Sequence, residues 1–234
     1  MPTPQSRQTT TTINPSMAFQ EPRAGRSGGP AVSAATLPPG PLRDSLAFLR
    51  GFLRSPAQVG SVIPSSRRLE QRLVRNAAIA QARTVVELGP GTGGTTSAFL
   101  HAMQPTAKLL AIELDPSFHQ HLSQSLHDPR LLLELGSAER IEEILAARRL
   151  PAPDAIVSGI PFSTMPPEVS DRIAAAIQRV LRPGGRFVAY QVRAHVAGFA
   201  TPYLGRGDKQ WEFVNIPPVR VFTWTKGQDP SMPS

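Results

Sequence analysis

The sequence predicts an α/β domain built on a mostly parallel sheet of seven strands. Three observations carry this. From residue 84 onward, short apolar runs alternate with helical stretches at a spacing that suits right-handed crossovers and a parallel sheet. The first run, TVVEL at 84–88, opens into the glycine-dense turn Gly89-Pro90-Gly91-Thr92-Gly93-Gly94 and then a helical stretch. The last two strand-like runs, 211–216 and 219–225, are joined by Pro217-Pro218 alone. A connection that short requires antiparallel pairing.

In chain order, residues 1–41 come first. They hold eight prolines, many Ser and Thr, and little apolar periodicity. Such a composition buries too little surface to offset its ordering entropy, so a disordered tail is expected there. A domain is expected over 42–227, and a second short disordered tail over 228–234. The domain begins with a lead-in helix at 42–54. At a hundred degrees per residue, Arg43, Arg50 and Arg54 form a narrow basic stripe. Leu42, Leu46, Leu49 and Leu53 lie on another face, extended by Phe48 and Phe52. That composition suits an element lying in a membrane interface. The same stripe equally suits a helix capping the protein's own core.

A second helix follows Pro64-Ser65-Ser66, where either serine can cap it. Arg67, Arg68, Arg72 and Arg75 make it strongly basic. The preceding Gly60-Ser61-Val62-Ile63 reads as a loop. Strands are then expected at 84–88, 108–113, 130–135, 154–158 and 185–192, with helices near 94–103, 116–126, 138–148 and 167–181.

Composition narrows the chemistry. The chain has 234 residues and no cysteine, which excludes disulfides, thiolate nucleophiles and Cys-based zinc sites. No metal is assigned: His119, His121 and His127 lie on or near one surface helix at a spacing unsuited to a shared ion. No N-terminal apolar run resembles a secretory signal, and no stretch approaches eighteen continuous apolar residues. A cytoplasmic protein is expected. The net charge of +8 is mostly arginine, with lysine only at Lys108, Lys209 and Lys226. A basic chain is drawn to polyanions, either nucleic acid or an anionic membrane surface.

The run 84–94 resembles the first motif of the class I, Rossmann-like S-adenosylmethionine-dependent methyltransferases. Gly89, Gly91 and Gly93 match that family's glycines, and Glu87 matches its acid. The spacing Gly89-x-Gly91-x-x-Gly94 also satisfies a dinucleotide fingerprint. Charge separates the two: Glu87 would repel a pyrophosphate but attract a ligand carrying an ammonium and a sulfonium. Further along, Glu113 ends the strand LLAIE and is placed to take the ribose hydroxyls. Leu114 adjoins it, and Asp115 is a competing acid better placed to cap the helix that starts at Pro116. Ser137 and Ala138 follow the strand LLLEL, where many relatives carry an acid for the adenine amino group; a serine offers only a neutral bond there.

The strand end Ser158-Gly159-Ile160-Pro161-Phe162 sharpens the resemblance. Ribosomal RNA adenine dimethylases carry an Asn where Gly159 stands, so an aryl amine would lose its fixing bond here. The stretch from about Phe48 to Trp224 resembles instead the bacterial phospholipid N-methyltransferases, through FLRGFLRSPAQVGSVIPSS, VVELGPGTGG, VSGIPF and FVNIPPVRVFTW. That resemblance implies methylation of the headgroup amine of phosphatidylethanolamine, towards phosphatidylcholine, or of an ornithine-containing aminolipid. It places the protein peripherally on the cytoplasmic membrane, with an anionic membrane surface and an aminophospholipid as partners and S-adenosylmethionine as methyl donor. No protein partner can be inferred.

Phe162 is expected beside the acceptor, offering its ring face to an ammonium-like nitrogen. Packing under the loop is its plainer alternative. Tyr190, His195 and Tyr203 are candidates for the base or substrate contact, and Gln191 can orient the headgroup. Arg67, Arg68, Arg193 and Arg206 are candidates for the lipid phosphate. Two other readings stay open: an RNA adenine N-methyltransferase of the ribosomal dimethylase type, and a non-catalytic membrane-docking module.

Overall fold

The computed structural model describes residues 66–215 and 217–227. The lead-in helix 42–54 with Arg43, Phe48, Leu49, Arg50, Phe52 and Arg54, the loop at 60–63 and both tails lie outside the described residues. The first described helix, α1 (Arg67–Asn76), starts where Ser66 accepts the Leu69 amide at 3.2 Å, so Ser66 is the capping serine. Alternation then runs through β1 (Thr84–Leu88), α2 (Gly94–Ala102), β2 (Lys108–Glu113), α3 (Pro116–Ser125), β3 (Leu131–Leu135) and α4 (Ile141–Ala147). It continues with β4 (Ala155–Ser158), α5 (Pro167–Val180), β5 (Arg186–Gln191), α6 (Val196–Leu204), β6 (Asp208–Glu212) and β7 (Val219–Thr225).

The seven strands are ordered β3-β2-β1-β4-β5-β7-β6. Pairs among β1 to β5 are parallel, whereas β7 is antiparallel to both β5 and β6. The order reverses between β1 and β4, which opens a crevice at their carboxyl ends, the place where open α/β sheets take ligands. Side-chain alternation divides the core into two layers. Val86, Leu88, Leu110, Ile112, Ile156 and Phe187 pack under α4, α5 and α6. Val85, Leu109, Ala155, Val157 and Val188 pack against Leu69 and Leu73 of α1 and Phe99 of α2.

The fold class agrees with the sequence reading, and most boundaries fall within a residue or two. Two elements depart from it. The first hairpin strand is 208–212 rather than 211–216, and the described residues 213–215, 217 and 218 are loop. The apolar run Trp211, Phe213, Val214 suggests a strand, yet these side chains are exposed. The edge strand itself is polar, with only Glu212 buried. Helix α6 connects β5 to β6 but carries Gly198 and an internal Pro202, both poor helix formers, so its sequence does not announce it.

Candidate cofactor and acceptor site

Three loop stems meet at the carboxyl edge, each continuing its strand's hydrogen bonds by one residue. Gly89 N–H donates to Ile112 O at 3.0 Å, Gly136 N–H to Glu113 O at 2.8 Å and Gly159 N–H to Leu88 O at 3.0 Å. The glycines of the first loop do different work. At Gly91, φ is +57° and an added Cβ would meet nothing within 4 Å, so bare backbone faces open space. At Gly93, φ is +84° and a Cβ would come within 2.6 Å of Leu122 Cδ2, so this glycine admits α3 rather than a ligand. At Gly89 the neighbour is Ile160 Cγ1, at 3.2 Å.

Glu87 lies within β1 on the α2 side of the sheet, 2% exposed. Its two carboxyl oxygens accept from the Thr95 and Thr96 hydroxyls, the latter at 2.7 Å. The acid therefore ties β1 to the first turn of α2, with both of its oxygens engaged. Burial pushes its carboxyl up to about 7; the two threonine bonds oppose the rise and the nearby Glu113 adds to it.

Glu113 is also buried. It accepts from Gly91 N–H at 3.0 Å and from Asp115 N–H at 2.9 Å. Burial raises its carboxyl above the usual range, against backbone bonds that lower it. Asp115 instead caps α3, accepting from Ser117 N–H at 2.7 Å and Phe118 N–H at 3.3 Å. Glu113 is thus the acid left at the end of β2, beside half-buried Leu114.

Ser137 caps the short 3₁₀ turn Ala138–Arg140; its hydroxyl donates to Glu139 Oε2 at 3.2 Å and accepts from Glu139 N–H at 3.3 Å. That hydroxyl is engaged locally, and Ala138 is buried beneath it. Ser158 is fully buried and accepts from Ile160 N–H at 3.3 Å.

The acceptor side differs from the sequence expectation at several residues. Phe162 is 2% exposed and its ring lies in the core, stacked on Phe199 at 6.5 Å between centroids. It presents no open face to an amine; packing is its role. Tyr203 is on α6, where its hydroxyl donates to Asp171 Oδ1 at 2.9 Å. That bond raises its pKa above the ordinary phenol range, which disfavours it as a base. His195 is exposed at the start of α6. Arg67, Arg68, Arg193 and Arg206 are exposed.

What the structure does bring together is Gly159, Tyr190 and Gln191. A Cβ at Gly159 would fall 2.5 Å from Tyr190 Oη, 2.9 Å from Tyr190 Cζ and 3.2 Å from Gly89 O. The tyrosine ring thus fills the room that any side chain at the end of β4 would need. Gln191, on the opposite face of β5, donates through Nε2 to Ile160 O. Its buried Oε1 has no hydrogen-bond partner among the described residues. The sequence names Tyr190 and Gln191 singly; their meeting with β4 depends on strand pairing.

The fold and the crevice leave the reaction class to the comparisons. Residues 85–185 match the family described as Methyltransferase domain. The ornithine lipid N-methyltransferase of Singulisphaera acidiphila is 31% identical over 148 residues, spanning 62% of this chain and 77% of that protein. The chain belongs to the class I S-adenosylmethionine-dependent methyltransferases, in the family of that relative. The ribosomal RNA small subunit methyltransferase A of Nocardia farcinica is also 31% identical, but the match spans only 47% of its length. Among solved structures, the 1,6-didemethyltoxoflavin-N1-methyltransferase of Burkholderia thailandensis aligns with a TM-score of 0.60 at 17% identity, covering 85% of this chain and 98% of that one. That likeness supports the fold.

The residues of this methyltransferase fit its methyl donor. Gly91 offers backbone that no side chain obstructs, and the amino end of α2 suits the donor's carboxylate. Glu113 stands at the strand end where ribose hydroxyls are taken. Among the described residues, no helix is long and apolar enough to cross a membrane.

Proposed function

We propose that this methyltransferase transfers methyl groups to the primary amine of an aminolipid headgroup, phosphatidylethanolamine or an ornithine lipid, while resting on a membrane surface. The observation that carries the reading is the bare strand end at Gly159, with Tyr190 Oη and Gly89 O beside it. A primary amine needs oxygens to hold its remaining N–H bonds while its lone pair points at the methyl group. Tyr190 Oη and Gly89 O are the oxygens at hand. The named activity of the Singulisphaera relative supports the same substrate class.

When bound, S-adenosylmethionine supplies an electrophilic methyl on a sulfonium. The headgroup ammonium first releases a proton to water at the mouth. With the donor bound, its nitrogen would form the new N–C bond as the C–S bond breaks, that electron pair passing to sulfur. The methylated ammonium releases its extra proton before a second round. The chain contributes position and exclusion of water, which can supply much of the acceleration. Glu87, held by Thr95 and Thr96, places negative potential under the cationic donor.

Labelled methyl donor mixed with vesicles tests the reading directly. Label should appear in phosphatidylethanolamine or ornithine lipid, and headgroup analysis tells which. Label in structured RNA with none in any lipid would replace this reading with the ribosomal dimethylase activity.

A further inference from the structure

We infer that the β6–β7 loop and the end of β5 form a docking patch for the interface of an anionic bilayer. The patch comprises Val192, Trp211, Phe213, Val214 and Arg220. This rests on the aminolipid reading above for its purpose, though not for its existence. Strands β5 and β6 are both antiparallel to β7, so they end on the same carboxyl edge as the cofactor crevice. The large apolar side chains exposed among the described residues are Phe213 at 70%, Val214 at 51%, Leu135 at 46%, Val192 at 42% and Trp211 at 39%. All five lie at or just past the carboxyl ends of strands, and four of them are in this one patch.

The loop is built inside out. Its polar residues point inward: Asn215, 2% exposed, accepts the Ser66 amide at 3.0 Å. Glu212, 3% exposed, pairs with Arg72 at 3.0 Å and accepts from Val214 N–H at 3.2 Å. Phe213 and Val214 point outward, against the usual economy of a surface loop. The exposed rings are also held in order. Trp211 and Phe213 stack at 5.5 Å with planes 10° apart, and the Arg220 guanidinium lies 4.3 Å from the Trp211 ring. Arg220 in turn donates to Val192 O at 2.7 Å, joining the two halves of the patch.

Charge chooses the occupant. Arg220 lies within the patch, exposed Arg67 and Arg68 follow the residue pinned by Asn215, and the nearby Glu212 is buried and paired. Tryptophan with arginine at the rim of an apolar surface suits the headgroup region of an anionic membrane. The same edge carries the crevice, so a lipid amine reaches the site without its acyl chains leaving the bilayer.

The test uses the full chain, vesicles of phosphatidylglycerol and phosphatidylethanolamine, and the variant Phe213→Ser plus Val214→Ser. Vesicle affinity should fall at least tenfold, and transfer to vesicle lipid with it. Affinity for S-adenosylhomocysteine, transfer to a short-chain monomeric aminolipid and molecular mass in solution should not change. Val192→Ser, on a different strand, should weaken vesicle binding in the same direction, which guards against a local folding defect in the loop. Unchanged vesicle binding in both variants overturns the proposal, as does a wild-type chain that ignores vesicles. A fall in mass on substitution also overturns it, by assigning the patch to a second copy of the chain. If wild type binds vesicles and the variants do not, yet no lipid is ever methylated, the docking surface stands and the substrate reading falls.

Discussion

The two halves of the sheet hold their functional groups in different ways. In the half built from β1, β2 and β3, the groups act mostly on the loop or helix that follows their own strand, although Glu113 also reaches back to Gly91 of the first loop. Glu87 reaches Thr95 and Thr96, Asp115 caps its own helix, and Ser137 bonds Glu139. In the half built from β4 to β7, the contacts join distant parts of the chain: Gly159 with Tyr190, Gln191 with Ile160, Ser66 with Asn215. A cofactor common to a large family can be held by local motifs. An acceptor site peculiar to one substrate class is assembled from strands that meet only after folding.

The largest break in that comparison should come from Gly159→Asn. Its Cβ would collide with the Tyr190 ring, so methyl transfer should drop by more than about a hundredfold while S-adenosylhomocysteine affinity, measured by calorimetry, stays within a few fold. Adding Tyr190→Ala should recover part of the lost stability, a non-additivity expected of residues in contact. Equal loss in the single and double variants would show that the two positions are independent.

Next in size is Gly93→Val, on the cofactor side. A β-branched residue at φ +84°, with its Cβ 2.6 Å from Leu122, should cost about 3 kcal/mol or more, read as a fall in thermal midpoint. Gly91→Ala, with open space around it, should cost only about 1 kcal/mol of stability and yet weaken cofactor binding at least tenfold.

The pH dependence of the ligand-free protein sharpens the account of Glu87. Its folded pKa, about 7, lies above its ordinary 4.5, so its stabilising contribution is complete below 4.5 and is lost as pH rises through about 7. The loss is on the order of 3 kcal/mol. Chemical denaturation across that window should show the slope, and Glu87→Gln should flatten it. A residual slope of the same sign is expected from Glu113, whose carboxyl is raised too. A cationic ligand favours ionised Glu87, so donor affinity should increase with pH over the same range in wild type and less so in the variant.

The smallest effect is expected from Tyr190→Phe. Removing one oxygen while keeping the ring should lower kcat roughly tenfold and leave stability nearly unchanged. An unaltered kcat would leave Gly89 O to hold the amine.

The sequence by itself determined the alternation, the parallel sense of the first strands, the glycine turn and the acids beside it. Those depend on periodicity and on neighbours a few positions apart, which one chain displays directly. It carried the strand past Glu212 through exposed Phe213 and Val214 and missed α6, because apolar character ordinarily means burial and Gly198 and Pro202 ordinarily mean no helix. It also expected an open Phe162, where the ring is sealed against Phe199. Only the tertiary structure decided that Tyr190 fills the room over Gly159, that Gln191 keeps a buried oxygen unpaired among the described residues, and that Phe213 and Val214 turn to solvent. Each of these is fixed by which strands lie side by side, and strand order is a property of the folded chain that no local pattern encodes.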